Sequence, residues 1–542
     1  MRKPFAITLD IETSLANHTG SWRNERPAYV DLLPPCNHAC PAGENIQGWL
    51  YLAEEGNYEG AWRRLMENNP FPAVEGRVCY HPCESACNRG QLDQAINIHA
   101  VERFLGDEAL RNGWTIAPKA STGKRVLVVG AGPSGLSAAY HLRLLGHEVA
   151  VHEAGPMAGG MMRFGIPKYR LPRDILDGEI ARILGMGVTV TLNAPVCDIP
   201  SLMKAGGFDA AFVAIGAHLA KRTDIPAREA GKILDAVSVL RGMETDAEAP
   251  LLGRRVVVYG GGNTALDMAR TAKRLGAAEA LVVYRRTREQ MPAHDTELEE
   301  ALDEGIVLHW LTTIKQIDGT TFTVEKMAID ENGWPRPTGE FETLEADTLV
   351  LALGQAVDTS FLKTVPGVKI TDDGVIDVDG TMMTGYPGLF AGGDMVPAER
   401  TVTVAIGHGK KAARNIDSWL RGERHAPPPK PRLATFERLN AWYYTDADKT
   451  VQPRLDVIRR QTSFDEIHGG LDETTALFEA RRCLSCGNCF ECDNCYGICP
   501  DNAVIKLGPG NRFRFNYDFC KGCGLCAAEC PCGAIDMVAE TV

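Results

Sequence analysis

Two stretches near the C-terminal end share one cysteine spacing, and that spacing limits what the chain can fold into more than any other feature. Residues 489–500, CFECDNCYGICP, and residues 520–531, CKGCGLCAAECP, both read C-x2-C-x2-C-x3-C-P. Three thiolates set so close together wrap one corner of an iron–sulfur cube, and the fourth ligand of each cube comes from the other run. The pattern therefore assigns one [4Fe–4S] cluster to Cys489, Cys492, Cys495 and Cys530. It assigns a second to Cys520, Cys523, Cys526 and Cys499. Pro500 and Pro531 close the two runs. Zinc bound by the same thiolates is the alternative.

The chain holds 17 cysteines: five between Cys36 and Cys87, Cys197 alone, and eleven between Cys483 and Cys532. A secreted disulfide scaffold would be short and would follow a signal peptide. The start, MRKPFAITLDIETS, offers no apolar h-region. No window reaches ~18 consecutive apolar residues, so no membrane span is expected. These features read as a cytoplasmic chain that binds metal at both ends. At ~150 residues per domain, 542 residues suggest roughly three to four domains. A hydrophobic share of 44% with 23% charged residues rules out overall disorder. The net charge of −13 argues against nucleic acid as the main partner, because phosphate binding needs a basic face.

Strand and helix patterns alternate from about Lys124 to Leu420. In residues 124–154, an apolar strand Val126–Val129 runs into Gly130-Ala131-Gly132-Pro133-Ser134-Gly135 and then a helix. A second strand, Glu148–His152, ends at Glu153. Gly130 makes the turn, Gly132 lets backbone N–H groups approach a pyrophosphate, Gly135 lets helix and strand pack closely, and Glu153 accepts from a ribose diol. A second unit, residues 254–286, repeats the plan: strand Val256–Tyr259, then Gly260-Gly261-Gly262-Asn263-Thr264-Ala265, then strand Ala280–Tyr284. It ends in Arg285 and Arg286 instead of an acid. Arginine neutralises a ribose 2′-phosphate, which favours NADP over NAD. Two such sites imply a flavin and a nicotinamide nucleotide.

Within the flavin domain no CxxC or CxxxxC lies downstream of the first glycine motif, so thiol–disulfide chemistry is not expected there. Cys197 reads as a packed thiol. Cys483, Cys486 and Cys532 fall outside the two tail sets and read either as packed thiols or as an extra metal site, since the C-x2-C spacing continues back to Cys483. In the head, CNHACP (36–41) and GRVCYHPCESAC (76–87) supply five cysteines, too few for two all-cysteine cubes but enough for one. Residues 47–68 suggest two short helices broken at Gly56. APPPKPR (426–432) reads as a stiff linker. Residues 1–35 carry no assignable chemistry and are expected to dock a partner.

Further motifs bring in a resemblance. CP…GRVCxxPCExxC, GAGPSG, GGMMRFGIPKYRLPRDIL (159–176), GGGNTALD, VYRRTREQMPA and GLFAGGD, spread over residues ~34–425, resemble the small-subunit family of glutamate synthase. They also resemble the NADPH-binding subunit of the electron-bifurcating transhydrogenase and the amino-terminal half of dihydropyrimidine dehydrogenase. The resemblance implies FAD contacts at Gly160 and Met161, at the crossover glycines Gly216 and Gly354, and at Gly393, Asp394 and Thr403, with Asp394 on the ribityl chain. It implies nicotinamide binding at Gly260, Gly262, Asn263, Thr264, Ala265, Arg285 and Arg286. Relatives carry two head clusters. Two family cysteines upstream of Cys36 are missing here, which implies that one head cluster is lost. The other would use Cys40, Cys79, Cys83 and Glu102, with Cys36 or Cys87 as alternative ligands in place of Glu102. The tail, YDFCKGCGLCAAECPCGAIDMV (517–538), resembles the delta subunit of 2-oxoacid:ferredoxin oxidoreductases.

The expected architecture is multidomain: an N-terminal extension (1–35), an α-helical Fe–S head (36–120), two nested α/β three-layer dinucleotide-binding domains, a linker (423–480) and an α+β two-cluster ferredoxin-like domain (481–542). The FAD-binding domain spans 121–225 and 345–422, and the NAD(P)-binding domain 226–344. The expected cofactors are FAD, NAD(P)(H) with NADP preferred, and three [4Fe–4S] clusters, one in the head and two in the tail. The expected function is an electron-transfer flavoprotein subunit. It would exchange hydride between NAD(P)(H) and FAD, and single electrons with other subunits of a thiamine-dependent 2-oxoacid oxidoreductase acting on pyruvate, 2-oxoglutarate or an aryl 2-oxoacid such as phenylglyoxylate. A glutamate synthase small subunit and a free-standing NAD(P)H:ferredoxin-type oxidoreductase are the alternatives.

Overall fold

The structure, a computed structural model, describes residues 18–540 apart from 222, 224, 229–231 and 246–249. Residues 1–17 of the N-terminal extension lie outside the described residues.

The first glycine-rich unit builds a parallel sheet in the order Leu389–Ala391, Ala210–Val213, Arg125–Val129, Glu148–His152, Thr189–Thr191. The central strand is apolar and buried from Val126 to Val129, as a strand covered on both faces must be. Helices Pro133–Leu144 and Val402–Leu420 pack against each other beside it.

The second unit builds another parallel sheet, in the order Val307–His309, Glu279–Val283, Arg255–Tyr259, Thr348–Leu351, Lys232–Asp235. Its side chains alternate between two cores, as the strand period of two requires. Val256, Val258, Ala280 and Val282 face helices Asn263–Arg274 and Asp295–Asp303. Val257, Tyr259, Leu281 and Val283 face an antiparallel sheet of Thr312–Asp318, Thr321–Ile329 and Pro335–Glu345. Strand Thr348–Leu351 corrects the expected boundary at 344/345: it pairs with both Val256–Tyr259 and Lys232–Asp235, and so belongs to the second sheet.

The head is helical. Ile46–Glu54 and Tyr58–Met66 each begin where an asparagine caps them: Asn45 accepts from Gly48 N (3.1 Å) and Asn57 from Gly60 N (2.9 Å). Trp49, Trp62 and Phe71 fill the core beneath. Residues 426–433 are exposed and carry no helix. The rest of the expected linker is different, because it folds back onto the head. Helix Glu473–Arg481 buries Ala476 and Ala480 in the head core. The fully buried Glu479 accepts from Asn97 N (2.7 Å) and Thr450 N (2.9 Å).

In the tail, Val504–Lys506 pairs with Phe513–Phe515. The last strand, Ile535–Ala539, pairs antiparallel with Glu25–Tyr29. The described part of the N-terminal extension thus docks on this chain's own tail. Among the described residues, no helix is long and apolar enough to cross a membrane.

Candidate functional site

A cavity of ≈ 350 Å³ opens at the end of strand Arg125–Val129, lined by Gly130, Gly132, Pro133, Ser134, Glu153, Gly160, Met161, Gly216, Gly393 and Asp394, with Ala405 behind. Helix Pro133–Leu144 starts there with Gly132 at its N-cap and no side chain over its N–H groups. A Cβ on Gly132 would meet nothing nearer than Gly160 Cα at 3.8 Å, so the space above it belongs to the cavity. Glu153 is held in place by accepting from Ala131 N and Gly155 N, both at 2.7 Å. Ser134 Oγ is buried without a partner. Burial pushes the Asp394 carboxyl up from the usual carboxylate range. An uncapped helix N-terminus, an open glycine and an orphaned hydroxyl fit a dinucleotide with an anionic pyrophosphate. Gly135 lies behind the cavity wall, and Thr403 does not line the cavity.

A second cavity, of ≈ 430 Å³, is lined by Gly260, Gly262, Thr264, Tyr284, Arg285 and Gly354. Gly354 therefore faces the second cavity and not the first, because strand Thr348–Leu351, which leads into it, lies in the second sheet. A Cβ on Gly262 would meet nothing within 4 Å. Three residues expected at this nucleotide do not line it. Ala265 is packed inside the helix. Arg286 stacks over the Trp334 ring at 5.3 Å. Asn263 donates to Tyr80 Oη (2.8 Å) and accepts from His294 N (2.9 Å). Tyr80, the neighbour of Cys79, stacks on His294 at 3.5 Å, so Asn263 forms a seam between the head and the second unit.

A buried ion network missed by the motif reading fixes that second unit. Arg270, fully buried, reaches Glu297 (3.0 Å), Glu300 (2.9 Å) and Glu304 (2.8 Å). Arg170, inside the GGMMRFGIPKYR motif, pairs with Asp267 (3.0 Å) and Glu297.

In the head, Cys83 lies near enough to Cys79, Cys40 and Glu102 to feel their charges. Burial pushes the Cys83 thiol well up, and the charges of Cys79, Cys40 and Glu102 add to it. Glu102 accepts from Asn69 Nδ2 (2.8 Å). Its carboxyl is raised well above the usual range by burial and by Glu44 and Glu75. Helices Pro72–Val78 and Ile98–Asn112 cross closely enough for this because Gly76 lies against the Arg103 backbone, where a Cβ would come within 2.5 Å. The Thr403 hydroxyl, on helix Val402–Leu420, reaches both Cys79 Sγ (3.2 Å) and Glu75. His408 on the same helix accepts from Gly393 N (3.2 Å), so one helix touches the first cavity and the head cysteines.

In the tail, Cys495 feels Cys489, Cys492 and Cys530, while Cys499, Cys520, Cys523 and Cys526 line one small space. Cys532 is buried 3.7 Å from Cys530. Cys197 is exposed, which corrects its reading as a packed thiol. Cys36 and Cys87 do not point into the head site; they line a separate space together with Cys483 and Cys486.

Comparison with known proteins follows this layout. Residues 124–409 match the family model described as pyridine nucleotide-disulphide oxidoreductase. Residues 31–114 match dihydropyrimidine dehydrogenase domain II, 4Fe-4S cluster, and residues 513–536 match a 4Fe-4S binding domain. The beta subunit of the NADP(+)-dependent formate dehydrogenase of Moorella thermoacetica is 36% identical over 503 residues, covering 83% of this chain and 70% of that protein. The beta subunit of the NADPH-Fe(3+) oxidoreductase of Geobacter sulfurreducens is 34% identical, covering 83% and 75%. The small chain of the glutamate synthase [NADPH] of Azospirillum brasilense is 32% identical, covering 73% and 88%.

Proposed function

The chain belongs to the pyridine nucleotide-disulphide oxidoreductase family, and from that premise we propose that it exchanges hydride with NADP(H) at the second cavity and electrons with a partner subunit through its cysteine sites. It is an NAD(P)-dependent flavin and iron–sulfur oxidoreductase subunit. Flavin bound in the first cavity would supply the change from hydride to single-electron chemistry, and [4Fe–4S] clusters the outward path.

The chain's own residues hold and position. Gly132 and the bare N-terminus of Pro133–Leu144 take the pyrophosphate, Glu153 the ribose and Asp394 the ribityl chain. Arg285 meets the 2′-phosphate at the second cavity. Cys40, Cys79, Cys83 and Glu102 hold the head cluster. The two tail sets, Cys489/Cys492/Cys495/Cys530 and Cys520/Cys523/Cys526/Cys499, hold the others. The observation that carries this reading is Thr403: its helix lines the flavin cavity through Ala405, and its hydroxyl touches Cys79 Sγ at 3.2 Å. In domain terms, the helical head serves the flavin unit, the nicotinamide unit is inserted within it, and a ferredoxin-like tail faces the partner. Thiolates free to bind iron suit a reducing compartment, and the reading places the chain in the cytoplasm.

The tail's CKGCGLCA wording favours a thiamine-dependent 2-oxoacid oxidoreductase as the partner. The formate dehydrogenase subunit that spans 83% of this chain supports a second reading, a formate-oxidising partner. The complex purified from its source is to be given NADP+ with CoA and pyruvate, 2-oxoglutarate or phenylglyoxylate, and separately with formate. NADP+ reduction by one substrate class selects the partner. Failure of NADPH to bleach the flavin of the purified chain would refute the core reading. Arg285→Ala is expected to raise KM for NADPH by about 10-fold or more, one lost charge-assisted contact, while leaving KM for NADH unchanged.

A further inference from the structure

Four thiols with no role so far come together from opposite ends of the chain. Cys36 sits in helix Pro35–Ala39, one turn before Cys40, whose N–H donates to Cys36 O (3.2 Å). Cys87 lies one turn past Cys83 and caps Asn88–Gln91. Cys483 and Cys486 follow helix Glu473–Arg481, which the folded-back segment presses onto the head. The four line one enclosed space of ≈ 20 Å³, walled by Leu50, Ile96 and Ile98. The space among Cys499, Cys520, Cys523 and Cys526, whose spacing marks a cube site, has the same volume, ≈ 20 Å³.

We propose that Cys36, Cys87, Cys483 and Cys486 ligate a fourth [4Fe–4S] cluster, one whose ligands are shared between the head and the tail.

Three observations support the assignment. Burial pushes the Cys36 thiol well up, and Cys87, Cys483 and Cys486 all add to the effect, so each lies close enough to be felt. N–H donors point at the sulfurs: Asn88 Nδ2 lies 3.5 Å from Cys486 Sγ, and backbone N–H groups of Asn37, Gly90 and Ser485 face Cys36, Cys87 and Cys483. Such donors stabilise thiolates and tune clusters. The separation suits a cube better than one ion. Zinc holds thiolates at about 2.3 Å, which sets the sulfurs about 4 Å apart, whereas among the described residues no three cysteine sulfurs lie within 4.8 Å of one another.

The head motif without its two upstream cysteines thus keeps its second cluster, with Cys483 and Cys486 in their place. The site also closes the electron path. On one side the chain links it directly to Cys40 and Cys83. On the other, Tyr444 donates to Leu484 O (2.8 Å), between Cys483 and Cys486 in the chain, and Cys532 and Cys530 of the tail are among the groups its phenol feels. A cluster held by these four cysteines would supply one-electron transfer between the head and the tail. This relay role rests on the function proposed above; the existence of the cluster does not.

The full chain, produced and reconstituted without oxygen, is to be analysed for iron, acid-labile sulfide, zinc and FAD, and by EPR after reduction. Four cubes give about 16 iron per chain. C483S/C486S and C36S/C87S, altered at opposite ends of the chain, are each expected to lose about four iron and the same EPR signal while keeping FAD. C197S is expected to lose none. Iron unchanged in both double variants, or zinc bound at the site, would overturn the proposal. If a double variant fails to hold FAD, the wild-type count decides: about 16 iron upholds the proposal and about 12 refutes it. A chain with about 16 iron whose flavin NADPH cannot reduce would refute the proposed function and leave this cluster standing.

Discussion

Replacing Gly132 by alanine separates folding from flavin binding. Its φ of −79° is ordinary for alanine, and the added methyl would meet no protein atom closer than 3.8 Å. The fold should accept the change and gain ~0.4–1 kcal/mol through a less flexible unfolded chain. The same methyl stands in the cavity at the N-terminus of Pro133–Leu144, where the proposed pyrophosphate would approach the backbone. Pushing it back costs one or two charge-assisted hydrogen bonds, ~1.5–3 kcal/mol each. FAD affinity should therefore fall between about 10-fold and about 10⁴-fold, at 1.4 kcal/mol per tenfold. Gly130→Ala is the contrast: φ is +104° and the methyl would lie 2.4 Å from Ala214 O, so that variant should fail to fold. Gly262→Ala, open at the second cavity, should spare FAD and weaken only NADPH. The assay is flavin per chain after purification and FAD rebinding to the apoprotein by fluorescence quenching, with apoprotein melting as the folding control. A G132A protein that binds FAD with wild-type affinity would refute the placement of the pyrophosphate, and an apoprotein melting well below wild type would refute the packing argument.

Two further outcomes are expected. Arg270→Met leaves Glu297, Glu300 and the fully buried Glu304 short of a cation. Stability should drop by ~3–5 kcal/mol in urea unfolding, with FAD still bound after folding; a loss below about 1 kcal/mol would mean Arg274 alone suffices. The second outcome concerns His141, which is buried and held neutral far below the usual histidine range by burial, with Lys410 and Arg414 adding to the effect. Above pH ~6.5 neither state carries its proton. Below it, the unfolded chain binds a proton that the folded chain refuses, so stability falls as pH falls, by about 1.4 kcal/mol per pH unit. Urea midpoints between pH 7.5 and 5.5 should therefore slope less in His141→Gln than in wild type, and equal slopes would contradict the assignment.

The pieces of this protein that rest on contiguous residues were legible in its sequence. Both glycine units and their flanking strands fall where the motifs put them, because a strand–turn–helix closes its hydrogen bonds between near neighbours. The thiols of each tail run lie near one another for the same reason. Pairings across the chain were not legible. TLVL at 348–351 reads alike in either parallel sheet, since a strand buried on both faces is simply apolar, and only its register with Val256–Tyr259 decides that Gly354 faces the second cavity. Arg285 and Arg286 look equivalent until Trp334 draws one of them away. The sequence determined that this chain carries two dinucleotide turns and a double cluster motif. Tertiary structure decided that Cys36 and Cys87 meet Cys483 and Cys486, because strand Glu25–Tyr29 pairs with Ile535–Ala539 and helix Glu473–Arg481 packs into the head core, bringing thiols from opposite ends of the chain into one site.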